Sequence, residues 1–409
     1  MYLNNYQQLK NKEVFIIIFL LITSVVVRIP AILILGDADL DNEWKILVNN
    51  LINHETLAFR NFDGNLIPNL YMPPLYPFYL YFISIITPEQ QNYINLILAS
   101  QILLATLSVF LFYEINKFFF SKKISFYSSL IFSLFPLHIY ACSQISSITL
   151  QIFLFLLFFY LFFNLVNKKG IIIICFFSIV SGLSMLIRGE FIIIFFISIT
   201  FLYFFFKTSL KNILLIFLIT LITVSPYLTR NFLIFDEITI TKTLGYNLWK
   251  GNNSNSKVEG SELFDYSLKS KINKIKKDTY YQIKYDKIFF DQAIKNISDD
   301  PKRYIILFLK KVLSFLFIDI NSSEDNYYNF LHYLPVLFFG ISSLFGIILY
   351  DKKSLKINYL ILIYFTYVFI FSCFFILPRY KLIILPLQII FSNFLIVYFY
   401  KKFFYRKGM

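Results

Sequence analysis

LQIFLFLLFFYLFF, residues 150 to 163, carries one strongly polar side chain, Gln151, in fourteen positions. Such a run has no polar face to offer water, so it belongs inside a large core or a bilayer. Its neighbours decide between the two. VFIIIFLLITSVVV (14 to 27) and IIIICFFSIVSGLSMLI (171 to 187) repeat the pattern, and similar runs recur along the 409 residues. The chain is 58% hydrophobic and 15% charged, against about 25% charged in soluble domains. Its mean hydropathy is +0.66. The reading is an all-α polytopic membrane protein.

Several function classes drop out at once. Cys142, Cys175 and Cys373 are far apart in or beside apolar runs, with neither a disulfide framework nor metal-type spacing. His54, His138 and His332 are equally scattered, so no metal and no other cofactor is expected. The net charge of +14 is read as Lys and Arg flanking spans rather than as a nucleic-acid surface. The first apolar run reads as a span and not as a cleavable leader, since no small-residue cleavage pattern follows it.

The pattern predicts about ten spans: 14–35, 92–113, 124–141, 147–166, 171–187, 190–206, 211–228, 331–350, 358–377 and 381–399. Connections holding Lys117, Lys122 and Lys123, then Lys168 and Lys169, Lys207 and Lys211, and Lys352 and Lys353 fall on one side of that arrangement. Both termini are then expected in the cytoplasm. Residues 301–318 interrupt their apolar run with Lys310 and Lys311 and are expected to lie at the interface. The expected division is an N-terminal membrane region (1–228) with its first outer loop at 36–91, an extracytoplasmic region (229–330) and a C-terminal membrane region (331–409). Charged residues are expected to avoid the spans.

Polar chemistry concentrates in the loops. Asp37, Asp39, Asp41 and Glu43 crowd the exit of the first span, ahead of an amphipathic pattern starting at Trp44. Asp41 suits an N-cap, and a carboxylate here also suits a general base. Arg188 and Glu190, Arg230, and Arg379 with Tyr380 are expected on the same side, where guanidinium forks suit a phosphate. YMPPLYPFYLYFI (71 to 83) reads as a rigid loop feeding a helix that begins at Phe78, with Pro77 in its first turn.

These motifs, in this order, resemble the GT-C superfamily of bacterial glycosyltransferases, near family 39 and the aminoarabinose transferases. The resemblance runs from DADLDNEW through PPLYP (73 to 77), GLSMLIRGEF (182 to 191), PYLTRNFLIF (226 to 235) and TLGYNLWKGNN (243 to 253) to LPRYKLIILPL. It implies inverting transfer of a sugar from a polyprenyl-phosphate donor to an envelope acceptor at the outer face of the plasma membrane. The implied base is Asp41, Asp39 or Asp37, and Arg188, Arg230 and Arg379 would hold the donor phosphate. Tyr76, Glu190, Asn247, Trp249, Lys250, Asn252 and Tyr380 would line the substrate loops. Two positions depart from the family pattern: Ile148 stands where a Glu is usual, and Met72 stands where an Arg is usual. The rival expectations are a flippase or transporter for lipid-linked sugars, and a non-catalytic envelope assembly protein.

Overall fold

The computed structural model describes residues 2–40, 42–62, 64–87, 90–168, 170–319, 321–322, 329–350 and 354–405. Helix α1 (Tyr2–Leu35) exposes Ile18, Ile22, Val26, Ile29 and Leu33 on one helical face, as lipid contact requires. A segment outside the bundle follows: α2 (Asn42–His54), an antiparallel hairpin of β1 (Ala58–Phe62) and β2 (Asn65–Pro68), and α3 (Leu75–Ile86). Next come α4 (Gln90–Asn116), α5 (Lys122–Ser133), α6 (Pro136–Ser143), α7 (Ile148–Lys168), α8 (Ile171–Ile187), α9 (Phe191–Thr200) and α10 (Leu210–Phe235). A second excursion holds α11 (Leu244–Gly251), α12 (Tyr266–Asn273), α13 (Tyr281–Asp299) and α14 (Pro301–Leu316). The helices α15 (Phe330–Leu349), α16 (Leu355–Cys373) and α17 (Leu385–Tyr400) follow, with a 3₁₀ segment, Pro378–Ile383, before the last.

Among the described residues, six helices are long and apolar enough to cross a membrane, or seven if the α5–α6 pair, bent by 49°, is one span. The sequence led to about ten. The difference lies in α8, α9 and α17, whose lengths fall below the roughly 20 residues that a straight crossing needs. The bend between α5 and α6 coincides with Pro136, which cannot donate into the preceding turn. Helix α3 begins at Leu75, three residues earlier than expected. Pro77 still sits in its first turn, and the Phe78 N–H donates to the Pro74 carbonyl (3.1 Å).

The bundle core is built from rings. Phe155, Phe158, Phe159 and Phe162 of α7 meet Phe177 of α8 and Tyr359 of α16, with Phe162 and Tyr359 stacked at 4.2 Å. Lipid tails are as apolar as these side chains, so dispersion from close packing, rather than escape from water, favours the assembly. The buried Tyr359 hydroxyl is satisfied by Ser198 Oγ at 2.6 Å. One end of the bundle is charged: Lys117 contacts Glu13 (2.7 Å) and Glu114 (2.8 Å), and Lys122 contacts Glu13 (2.6 Å). Lys356 joins that end over the Phe118 ring and through Asn167. Lys169, Lys352 and Lys353 lie outside the described residues.

The spans are not free of charge. Arg28 of α1 is fully buried, donating to Ser24 O (3.0 Å), Ser24 Oγ (2.9 Å), Ser133 O (3.2 Å) and His138 Nδ1 (2.9 Å). A guanidinium only donates, so His138 Nδ1 accepts and the ring proton sits on Nε2. The Ser133 carbonyl is set free by the break between α5 and α6, and Arg28 takes it up. Helix α14 departs from a simple amphipathic pattern too: Ile305, Ile306, Leu309 and Leu313 are exposed while Lys311 is buried. An apolar outer face flanked by Lys302 and Lys310 suits a helix lying at a membrane surface.

Candidate active site

A cavity of about 1110 Å³ opens where the two excursions meet α8, α9 and α10. Its lining is apolar along Ile192, Ile193 and Phe196 of α9 and Phe217, Leu221 and Val224 of α10. Arg188 and Glu190, from the tight turn between α8 and α9, stand at the edge of that apolar lining. Glu43, Asn247, Lys250, Glu262 and Tyr380 bring further polar groups to the same space. The Arg188 guanidinium lies 5.4 Å from the Tyr380 ring centre, and its Nε is buried with no hydrogen-bond partner. Glu190 Oε1 is likewise buried without a partner. A buried polar atom left unpaired costs about 1–3 kcal/mol, so both atoms favour a ligand or water that completes them.

The stretch TLGYNLWKGNN divides its labour between packing and lining. Gly245 has no alternative, since a Cβ there would meet the Asp286 carbonyl of α13 at 2.0 Å. Gly251 is held as tightly, 1.9 Å from the Phe374 carbonyl by the same measure. The Asp286 carboxylate accepts from the Tyr246 N–H (2.9 Å) at the start of α11, where the orphan amides and helix dipole favour an anion. Burial raises the pKa of Asp286, and the Tyr246 and Gly245 amides oppose that rise. Trp249 is buried against Phe264 (5.1 Å, stacked) and Phe289. Asn252 spends its side chain on Leu248 O (2.8 Å) and Cys373 O (2.9 Å). What remains, Tyr246, Asn247 and Lys250, faces the cavity.

Lys250 contacts Glu262 at 2.6 Å and lies over the Phe375 ring. Burial pushes Glu262 up, but the Lys250 hydrogen bond and charge, with the Tyr246 hydroxyl, bring its carboxyl below the usual value. Burial, Tyr71 and Glu262 together push the Tyr246 phenol upward, which keeps its proton in place. Beneath this layer the buried Lys311 ammonium donates to Gly251 O (2.8 Å) and Asn252 Oδ1 (3.0 Å), clamping the end of α11.

Of the residues singled out by sequence, Arg188, Glu190, Asn247, Lys250 and Tyr380 come together around the cavity. Tyr76, Trp249 and Asn252 stand behind it; Tyr76 is buried edge-on to Trp44 at 4.8 Å and so supports α2. Arg230 is outside the lining, donating to Asn69 O (2.8 Å), Asn231 Oδ1 (2.7 Å) and Leu57 O (3.3 Å). Arg379 borders a separate small void with Gln151. Asp37 accepts from the Ile145 N–H (2.6 Å), and Asp39 accepts from Leu40 N–H (2.7 Å) and pairs with Lys45 (2.5 Å). Asp41 lies outside the described residues. Sequence reasoning passed over Glu43 as a site residue, although it closes the acidic cluster, and missed Tyr246 and Glu262. Tyr246 sits within the glycine-bounded motif, whereas Glu262 carries no local signal.

The fold is similar to that of an oligosaccharyltransferase from Archaeoglobus fulgidus. Its apo crystal structure matches with a TM-score of 0.53 and 11% identity, over 96% of this chain and 51% of that one. The form tethered to an acceptor peptide containing the NVT sequon gives 0.54 and 11%, over 94% and 50%. This chain therefore spans about half the length of that protein. ArnT from Cupriavidus metallidurans in the apo state matches more loosely, at 10% identity and a TM-score of 0.37, over 95% of this chain and 77% of that one. No protein-family model matches the sequence. No curated protein matches it either. The likeness is one of fold alone.

Proposed function

We propose that the chain is a membrane glycosyltransferase that moves a sugar, with inversion, from a polyprenyl-phosphate donor to an envelope acceptor at the outer face of a bacterial plasma membrane. One observation carries this reading: an apolar wall on α9 and α10 meets the Arg188 guanidinium and two carboxylates, Glu43 and Glu190, in a single cavity. A polyprenyl phosphate has the same composition, a long apolar chain ending in an anion. The fold shared with an enzyme named for oligosaccharide transfer supports the same class.

In this mechanism Asp41 takes the proton of an acceptor hydroxyl as its oxygen attacks C1 of the sugar. The C1–O bond to phosphate breaks from the opposite side, and its electron pair leaves with the polyprenyl phosphate. Arg188 meets the charge that develops there. Phosphate leaves readily, so no strong acid is needed. Lys250 and Asn247 hold the reacting groups in register, where small misplacements are costly.

The direct test is native mass spectrometry of the full chain in nanodiscs supplied with undecaprenyl phosphate. Retention of the lipid, its loss in Arg188→Ala, and accumulation of a lipid-linked sugar in a deletion strain are the expected results. No retention and unchanged lipid-linked sugars would overturn the reading. The transporter alternative draws on one observation, the buried Arg28–His138 pair, because transporters keep ionisable groups inside the membrane. Movement of fluorescent polyprenyl phosphate across vesicles by the purified protein, without sugar transfer, would favour it.

A further inference from the structure

The cavity has a second half that a lipid phosphate does not explain. Its lining from the two excursions includes a row of four rings: Phe59 of β1, Tyr71 ahead of the proline-rich loop, Tyr246 of α11 and Tyr285 of α13. Phe59 and Tyr71 are stacked, 5.4 Å apart and 4° from parallel. Tyr71 meets Tyr246 edge-on at 5.9 Å, and Tyr246 stacks on Tyr285 at 6.0 Å. Each ring is half-buried, so the row is neither core nor free surface. Beside it stand the amide of Asn247 and the carboxylate of Glu262.

An aromatic face carries the negative end of its quadrupole, and the C–H face of a pyranose carries a weak positive charge, so the two stack in water. Carboxylates and amides supply hydrogen bonds to the hydroxyls at the sugar's edge, and a few fixed polar groups among rings are how a pocket sets orientation. The charge balance argues against a phosphate-rich ligand on this side. The Lys250 ammonium on this side is already neutralised by Glu262 at 2.6 Å, whereas the Arg188 Nε on the other side has no partner. An aliphatic ligand would leave Asn247 and Glu262 facing hydrocarbon.

We propose that the row Phe59, Tyr71, Tyr246 and Tyr285, with Asn247 and Glu262, binds an uncharged saccharide, so that the acceptor is a hydroxyl of a glycan. Calling this saccharide the acceptor rests on the transferase reading above; its binding does not. The row is supplied by the two excursions, whereas the apolar wall and Arg188 come from α8, α9 and α10. The two halves are therefore separable by mutation.

The experiment titrates the full chain in nanodiscs with maltotriose, mannotriose and N,N′,N″-triacetylchitotriose, and separately with a neutral tripeptide and glucose 1-phosphate, followed by saturation-transfer NMR. At least one trisaccharide is expected to bind, with contacts from its C–H protons, and the peptide and sugar phosphate at least tenfold more weakly. Tyr71→Ala and Phe59→Ala should each weaken the trisaccharide at least tenfold, while Tyr246→Phe, which keeps the ring face, should retain it. Retention of undecaprenyl phosphate by the alanine variants serves as the control for folding and for the other half of the cavity. The proposal falls if no trisaccharide binds, if the alanine variants bind it unchanged, or if the peptide or sugar phosphate binds more tightly. Trisaccharide binding without any lipid retention by the unmutated protein would sink the transferase reading and leave the saccharide site standing. Lipid retention without trisaccharide binding would do the reverse.

Discussion

The Arg188 guanidinium lies over the Tyr380 ring at 5.4 Å, joining the turn between α8 and α9 to the 3₁₀ segment ahead of α17. The ring fixes the plane of the fork and leaves its edge, including the unpartnered Nε, for an oxyanion. Arg188→Lys keeps the charge but loses the fork. It is expected to weaken undecaprenyl phosphate retention about tenfold, the size of one charge-assisted hydrogen bond. Tyr380→Leu should weaken it less, because the guanidinium survives and only its orientation loosens. Competition binding in nanodiscs checks both.

Arg230 predicts the opposite pattern. Its guanidinium is committed to the carbonyls of Asn69 and Leu57, which tie α10 to the hairpin and the loop before α3. Arg230→Met removes both charge-assisted bonds, at about 1.5–3 kcal/mol each, although Leu57 O keeps the Asn69 N–H (2.7 Å) and Asn69 O keeps the Tyr227 hydroxyl (3.5 Å). A lower thermal midpoint is expected, with lipid retention preserved in the protein that remains folded. Loss of retention at an unchanged midpoint would return Arg230 to the phosphate.

Lys311 gives a pH dependence. Burial pushes its ammonium down from 10.5 to about 7, with the Cys373 thiol a weak opposing influence. The unfolded chain then binds more protons than the folded one between about pH 7 and 10.5. Stability from this group is full above pH 10.5 and is lost as pH falls toward 7. Lys311→Met removes the titrating group. The difference in thermal midpoint between the variant and the unmutated protein should therefore change across that window and stay flat below it. A constant difference would show that Lys311 does not titrate there.

Much of the fold was legible because the apolar runs leave few choices. Residues 150–163 can hardly be anything but a buried helix, and α7 is one. The span count was less so, because α8 and α17 are as greasy as the spans and differ only in length, which neighbouring turns decide. The site was legible by type rather than by orientation. Arg188 and Arg230 look alike in sequence, but one follows a helix end into a cavity while the other meets carbonyls that the chain supplied far upstream. Arg28 was passed over for a related reason. Its tolerance in α1 depends on Ser133 and His138, which only the α5–α6 break brings within reach.

Arg28 itself can be tested. Arg28→Met should leave the Ser133 carbonyl and His138 Nδ1 without their donor, at a cost of about 1–3 kcal/mol for each unsatisfied buried group. Chemical denaturation in detergent should report the loss. Arg28→Lys should recover part of it, since one ammonium reaches fewer of the four acceptors.

The base is the prediction on which the mechanism turns. Asp37 holds the Ile145 amide, and Asp39 holds the Leu40 amide and Lys45, so each has a structural task at the exit of α1. The Asp39–Lys45 pair is solvent-exposed and contributes at most about 1 kcal/mol. Glu43, in the first turn of α2, lines the cavity, and Asp41 precedes that helix in sequence. Asn caps a helix about as well as Asp but cannot take a proton, so Asp→Asn separates capping from catalysis. Asp41→Asn is expected to lower sugar transfer by about 10²–10⁴-fold at an unchanged thermal midpoint, the range for a lost general base. Asp37→Asn and Asp39→Asn should lower the midpoint more than the turnover. The assay is transfer from a polyprenyl-phosphate sugar by each purified variant, with Glu43→Gln beside them. If Asp41→Asn keeps full activity and Glu43→Gln loses it, the proton goes to Glu43, which lines the cavity. If all four variants transfer sugar at the unmutated rate, no carboxylate of this cluster is the base and the proposed mechanism is wrong.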